Sequence, residues 1–269
     1  MKACWRLIDS GSCSGAENMA IDEALFRCFD PAVSPPVLRL YGWQPPALSL
    51  GRFQKARDDL DLDRCLADKL TVLRRITGGG VIYHADELTY SLVCSPRQFP
   101  SASSVKDSFR VLTSFLLGFY RALGLPAGYA VDQASPGVRL GERTPLCFAG
   151  KESYDILVHG RKIGGNAQRR SREIIFQHGS IPLHDRLSEG LHYLKLKPQG
   201  VEQTTSCLSA ERVTVIPETL KRLLTHQFEK QLVTELHPGA LTDQEQALSE
   251  KLAKEKYRND LWNLKGEEP

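Results

Sequence analysis

The sequence is short of most features that would place a protein outside the ordinary globular class. No stretch approaches the ~18 consecutive apolar residues of a membrane span, and the opening MKACWRLIDSGSC has too short an apolar run for a signal peptide. There is no repeat and no low-complexity tract. Net charge is also scarce: 35 Lys and Arg against 32 Asp and Glu leave +3, interspersed along the chain, which argues for neither nucleic acid nor membrane as a partner. The seven cysteines (4, 13, 28, 65, 94, 147 and 207) are odd in number and include no CxxC pair, and no His pair stands at zinc-finger spacing. A disulfide framework and a structural zinc are thereby disfavoured, and the reading is a reducing, cytoplasmic enzyme.

What is present is an ordinary core-forming composition, 41% hydrophobic and 25% charged over 269 residues. At about 150 residues per domain that allows one large α/β domain, or one domain with a small appendage. Ser14 to Cys28 places Met19, Ile21, Ala24, Leu25 and Phe26 on one broad face and reads as an amphipathic helix. VLRLYGW (37–43) and ALSLGRF (47–53) read as strands joined by a short proline turn, and 57–69 as a polar helix. The segment 71–95 reads as strand, glycine loop and strand, with Tyr90, Leu92 and Cys94 alternating against Thr89, Ser91 and Val93. Apolar residues at 105, 109, 112, 116, 119 and 123 predict a core-packed helix over 101–125, stopped by Gly124 and Pro126. SYDILVHGRKIGGNAQRR and REIIFQHGSIPL read as paired strands turning at His159-Gly160, and further helices follow over 217–232 and from Thr242 to about Trp262, the last opened by the capping-box pattern TDQE. The mixture implies an α/β or α+β fold with one main sheet.

Two constellations carry chemistry. RRITGGGVIYH (74–84) offers three successive glycines, which let backbone N–H groups converge on an anionic or carbonyl oxygen; a glycine bulge in a hairpin is the plainer reading. The spacing is neither that of a P-loop nor that of the dinucleotide fingerprint. The second is 146–170 followed by IFQHGSIPL. Cys147 stands at the end of a polar loop before a strand, and Lys162 follows beyond the hairpin turn. A free thiol of pKa near ~8.5 is mostly protonated at neutral pH, and an adjacent ammonium would raise its thiolate fraction and stabilise an acyl oxyanion. The alternatives are a structural Cys147 and a solvated Lys162, since spacing alone does not pair them. His84 and His178 are each either a general base or a hydrogen-bonded core histidine. The other six cysteines read as packing residues.

Taken together, ENMAIDEAL (17–25), RRITGGGVIYHADELTYSLV (74–93), CF (147–148), GRKIGGNAQRR (160–170), FQHGSIPL (176–183) and KYRNDLWN (256–263) resemble the superfamily of lipoate–protein ligases, biotin–protein ligases and octanoyltransferases, and most of all its cysteine-dependent octanoyltransferases of the LipM type. Six motifs in family order cover nearly the whole chain. The resemblance implies a central mixed β-sheet flanked by helices, a catalytic domain over 1–240 and a helical tail over 241–269. It implies that Cys147 takes an octanoyl group from octanoyl–acyl carrier protein and passes it to a lysine of a lipoyl domain, such as the glycine cleavage H protein. Lys162 would assist the cysteine. Arg75, Thr77, Gly78, Gly79, Gly80 and His84 would form the acyl-binding loop, with Gly164, Gly165, Asn166, Ala167 and His178 as the facing wall. Thioester to thioester to amide runs without ATP, metal or other cofactor. Two departures stand out: Gly80 has the form common in the ATP-using ligases, where many transferases carry arginine, and GGN (164–166) replaces a more usual glycine–serine. The alternatives are an ATP-dependent lipoate–protein ligase, against which Cys147-Phe148 and the short C-terminal segment stand, a cysteine-dependent amidotransferase between lipoyl domains, and a non-catalytic lipoyl-domain-binding module.

Overall fold

The computed structural model describes residues 2–100, 102, 104–133 and 152–269. Cys147 and the loop around it lie outside the described residues. The chain opens with a strand, β1 (Ala3–Cys13), then helix α1 (Gly15–Cys28). A capping box at Ser14 and Glu17 starts the helix: the Ser14 hydroxyl accepts the Glu17 N–H and the Glu17 carboxylate accepts the Ser14 N–H. Strands β2 (Val37–Trp43), β3 (Ala47–Leu50), β4 (Thr71–Arg74), β5 (Ile82–His84) and β6 (Glu87–Cys94) follow, then helix α2 (Val105–Ala122) and strand β7 (Ala127–Tyr129). The second half holds β8 (Ile156–Val158), β9 (Arg161–Ile163), β10 (Gly165–Arg170), β11 (Ile175–Pro182), the two-residue β12 (Thr205–Ser206), helix α3 (Pro217–Leu232), β13 (Thr234–Pro238) and helix α4 (Asp243–Leu252).

The central sheet runs β10-β11-β6-β2-β1-β13. It is mixed: β13, β1 and β2 are parallel, while β6, β11 and β10 alternate in direction. Both faces are covered, so every residue of β6 is buried and its alternation separates two cores rather than core from solvent. Leu38, Leu40, Tyr90 and Leu92 meet α2 and α3 through Phe115, Phe119 and Phe228. Val37, Tyr41, Val93 and Phe176 meet α1 and the C-terminal helices through Met19, Leu25, Tyr257 and Trp262. The expected main mixed sheet between helices is therefore present, and two smaller sheets accompany it: β4-β3-β5, which carries the glycine loop, and β12-β9-β8-β7, which carries Lys162.

Local expectations change for traceable reasons. β2 and β3 enter different sheets. The 57–69 helix is two short ones, Ala56–Asp59 and Leu62–Ala67, because Leu60 is drawn into the core and bridges Leu194. The turn at His159-Gly160 stands where expected, with φ of 50° and 75°, the paired positive values of a type I′ hairpin. The strands on either side of Gly164 nevertheless belong to different sheets. Among the described residues no helix is long and apolar enough to cross a membrane.

Candidate active site

The glycine loop connects β4 to β5. It is gripped from inside by Arg75, which is 1% exposed and donates to the Ser49 carbonyl (2.8 Å) and hydroxyl (2.7 Å) and to the carbonyls of Gly78 (3.1 Å) and Gly80 (2.9 Å). Arg75 thus fixes the loop's shape by holding the carbonyls on either side of Gly79. The turn after β3 approaches so closely that a Cβ on Gly51 would lie 2.0 Å from the Gly79 carbonyl oxygen, so Gly51 admits no side chain. Arg74 fixes the outer flank: it donates to the carbonyls of Gly51, Arg52, Gln54, Trp262 and Leu264, tying the loop's base to the C-terminal segment.

Opposite the loop, β10 pairs with β11 in the register Gly165–Ser180, Asn166–Gly179 and Ala167–His178. Gly164, at φ +86°, makes the passage from β9 into β10; a Cβ there would meet the Ser180 carbonyl oxygen at 2.3 Å. A pocket between the two walls is lined by Arg75, Ile82, His84, Gly165, Asn166, Ala167 and His178 among others. Thr77 joins it through a 2.8 Å hydrogen bond between its hydroxyl and His178 Nε2.

The two histidines are both buried and both engaged. His84 stacks on Trp43, ring centroids 3.7 Å apart and 9° between planes, with Nε2 2.6 Å from the Ser49 hydroxyl and Nδ1 2.9 Å from Glu87 Oε1. Because Arg75 already donates to that hydroxyl, the consistent arrangement is Ser49 O–H to Nε2 and Nδ1–H to Glu87. Burial works to raise the Glu87 pKa, but His84, Thr89 and the surrounding polar groups outweigh it and hold the carboxyl below its ordinary value. His178 Nδ1 lies 3.8 Å from Asp22 Oδ2. Burial pushes the His178 pKa down and Asp22 only partly offsets this, so the ring is neutral at neutral pH.

Asp22 comes from the buried side of α1 and is the hub of this network. It accepts from Arg39 (2.8 Å), Ser91 (2.7 Å) and Tyr41 (2.8 Å), and Arg39, fully buried, also donates to Ser10 and to both oxygens of Asn18. Burial opposes ionisation of Asp22; Arg39 and the hydrogen bonds to it prevail, and the pKa is lowered.

Lys162 is a buried cation on β9, 2% exposed, which removes the solvated-charge reading. Its ammonium is 2.7 Å from Asp155 Oδ2, and Asp155 also accepts the Glu152 N–H at 2.7 Å. Lys162 stands two residues before Gly164, so β9 delivers it to the start of the β10 wall. Of the expected site residues, the structure gathers Arg75, Thr77, His84, Gly165, Asn166, Ala167 and His178 around one pocket, with Gly78, Gly79 and Gly80 as the loop held by Arg75 and Gly51; Cys147 is outside the described residues. Sequence reasoning missed Asp22, Arg39, Glu87 and Asp155. A charge such as Asp22 set among Met19, Ala20, Ala24 and Leu25 of one helix face was the available signal. Of the remaining cysteines Cys65, Cys94 and Cys207 are buried as expected, whereas Cys4 is exposed beside β13, where the edge strand leaves it uncovered.

Residues 14–237 match the model of the lipoyl protein ligase A/B catalytic domain. The octanoyltransferase LipM of Geobacillus kaustophilus is 38% identical, over 98% of this chain and 99% of its own length. A crystal structure of lipoate-protein ligase A bound with ATP superposes with a TM-score of 0.81 at 25% identity, covering 98% of this chain and 99% of the other. A bipartite lipoate protein ligase from Thermoplasma acidophilum, described together with its E2 lipoyl domain, superposes at 0.77 and 24% identity over 96% of this chain and 95% of the other. The chain belongs to the lipoyl protein ligase A/B catalytic-domain family and, within it, to the LipM-type octanoyltransferases, which are acyltransferases.

Proposed function

We propose that the protein moves an octanoyl group from octanoyl–acyl carrier protein to a lysine of a lipoyl domain, the glycine cleavage H protein being the expected acceptor, with Cys147 as transient carrier and the cytoplasm as its setting. The Cys147 thiolate attacks the thioester carbonyl, the electron pair moves onto oxygen, and collapse expels the carrier's thiolate, which takes a proton from solvent. The acceptor lysine, as a free amine, then attacks the Cys147 thioester; the C–S bond breaks, the amide forms, and the amine gives up one proton. Each half-reaction passes through one oxyanion. The glycine-loop N–H groups and the Lys162 ammonium are the donors for it, and the ammonium beside a thiol also favours the thiolate. The acceptor amide is more stable than either thioester, so the sequence runs downhill without ATP or any cofactor.

The observation that carries this reading is the burial of Lys162. An ammonium removed from solvent and held on Asp155, two residues from the wall that faces the glycine loop, is costly to maintain for structure alone. The names of the LipM relatives, and the pairing of a ligase of this fold with a lipoyl domain, support the substrate and acceptor classes. The test is reconstitution with octanoyl–acyl carrier protein and a lipoyl domain, without ATP, in parallel with free octanoate plus ATP. Octanoylation in the first mixture alone is expected. Octanoylation in the second alone would replace the transferase reading by the ligase one.

A further inference from the structure

KYRNDLWN (256–263) lies far along the chain from the glycine loop, yet two of its side chains complete the strand that leads into that loop. Among the described residues β4 is an edge strand: β3 pairs with one side of it, where the Arg75 N–H donates to the Leu50 carbonyl at 2.8 Å. The main-chain groups of Arg74 point to the other side, where no described strand runs. The Asn263 side-chain oxygen accepts the Arg74 N–H at 3.2 Å, and the Trp262 indole N–H donates to the Arg74 carbonyl at 2.9 Å. Trp262 and Asn263 thus supply the donor and the acceptor that a neighbouring strand would bring. Both are buried, and Asn263 is itself fixed by donating to the Tyr257 carbonyl at 2.9 Å.

The Arg74 side chain grips the same tail. Its five hydrogen bonds all end on main-chain carbonyls, those of Gly51, Arg52 and Gln54 in the turn against Gly79 and those of Trp262 and Leu264 in the tail. The next residue is Arg75, which holds the Gly78 and Gly80 carbonyls. One peptide therefore separates the residue that the tail fixes from the residue that shapes the glycine loop. The tail is anchored in turn on α1, where Glu23 accepts from Tyr257 and Lys256. We infer that Trp262 and Asn263 are positioning residues for octanoyl transfer, which act through Arg74 to hold the glycine loop in place. Their weight in the reaction rests on the proposed function, in which that loop serves the acyl oxyanion. Donors displaced by about 1 Å can cost about a hundredfold in rate, and because they act in the transition state the loss falls on kcat rather than on KM.

The experiment pairs amide hydrogen exchange with single-turnover kinetics. Trp262→Phe keeps an aromatic ring and removes the donor to Arg74; Asn263→Leu removes the acceptor at similar volume. In each, exchange over residues 74–80 should quicken about tenfold or more, while peptides of β6 and β11 keep their wild-type rates. Acylation by octanoyl–acyl carrier protein and discharge to a lipoyl domain should both slow by about ten- to a hundredfold, with the half-saturating carrier concentration within about twofold of wild type. Leu224→Ala, which opens a cavity in the α3 core, controls for lost stability alone and should change neither the loop exchange nor the rates per folded molecule. Trp262→Phe, the milder change, decides the matter if Asn263→Leu does not fold. Loop exchange at wild-type rates in the tail variants, faster loop exchange with unaltered transfer, or equal loop exchange in Leu224→Ala would overturn the proposal. Should wild type take no octanoyl group from the carrier, the proposed donor is wrong, and the exchange rates still decide whether the tail holds the loop.

Discussion

Arg39–Asp22 and Lys162–Asp155 are both ion pairs sealed from solvent, yet they are embedded in opposite ways. The first is over-determined. Arg39 reaches Ser10, Asn18 and Asp22, and Asp22 also accepts from Tyr41 and Ser91, so three strands of the central sheet, β1, β2 and β6, and helix α1 are bolted at one point. The second sits in a sheet whose strands β8 and β9 have three residues each, and among the described residues its carboxylate accepts from the ammonium and from the Glu152 N–H. Saturation by fixed partners marks a charge that serves the fold. Lys162, brought into the core by short strands at the start of the wall facing the glycine loop, is the buried cation that the proposed function employs.

This contrast is sharpest in activity. Lys162→Met should lower octanoyl transfer by about two to three orders of magnitude, the usual cost of losing one oxyanion donor. It also strands Asp155, so the double variant with Asp155→Asn should recover stability, read by thermal unfolding, and none of the activity. Recovery of both would assign Lys162 to the fold. Arg39→Met should do the reverse: about 3–5 kcal/mol of stability lost through the stranded Asp22, with activity per folded molecule within a few-fold of wild type. A variant as stable as wild type in denaturant titration would break the comparison.

A gentler probe is pH. His178 has a folded pKa below its unfolded value near 6.5, so the unfolded chain binds the extra proton first, and stability falls as pH drops below that value. Its slope cannot exceed one proton, about 1.4 kcal/mol per pH unit. Asp22 and Glu87, both lowered, add a further loss below their ordinary values near 3.8 and 4.5, complete only once pH has fallen through their folded values. Stability curves of wild type and His178→Gln should therefore diverge between neutrality and about pH 5; parallel curves would mean that the ring is not held neutral. The smallest effect is expected for Thr77→Val, which removes one neutral hydrogen bond to His178 and should cost about 1 kcal/mol, measured as a modest rise in KM for the acyl donor.

How legible this was in the sequence depends on how far apart the cooperating residues lie. The glycine loop announces itself in three consecutive letters. Thr242 and Glu245 announce a helix start that the structure honours with both capping hydrogen bonds. Strand β1 escaped because its alternation breaks at a bulge between Asp9 and Ser12, with Gly11 in the left-handed region, and β13 because only Thr234 of its five residues is buried. The Asp22–Arg39–His178 network escaped for a different reason. It joins α1, β2 and β11, and no local pattern tells a buried aspartate with three donors from a solvated one. Lys162 was ambiguous on the same ground, and its burial became visible only when β9 was seen paired to β8 on one side and β12 on the other.

The most direct measurement is intact-mass spectrometry of the protein after brief mixing with octanoyl–acyl carrier protein, without ATP and without acceptor. The expected result is a mass gain of one octanoyl group that hydroxylamine removes, that a lipoyl domain discharges, and that Cys147→Ala never shows. An unmodified protein that still octanoylates the lipoyl domain, or an adduct that persists in Cys147→Ala, would contradict the account.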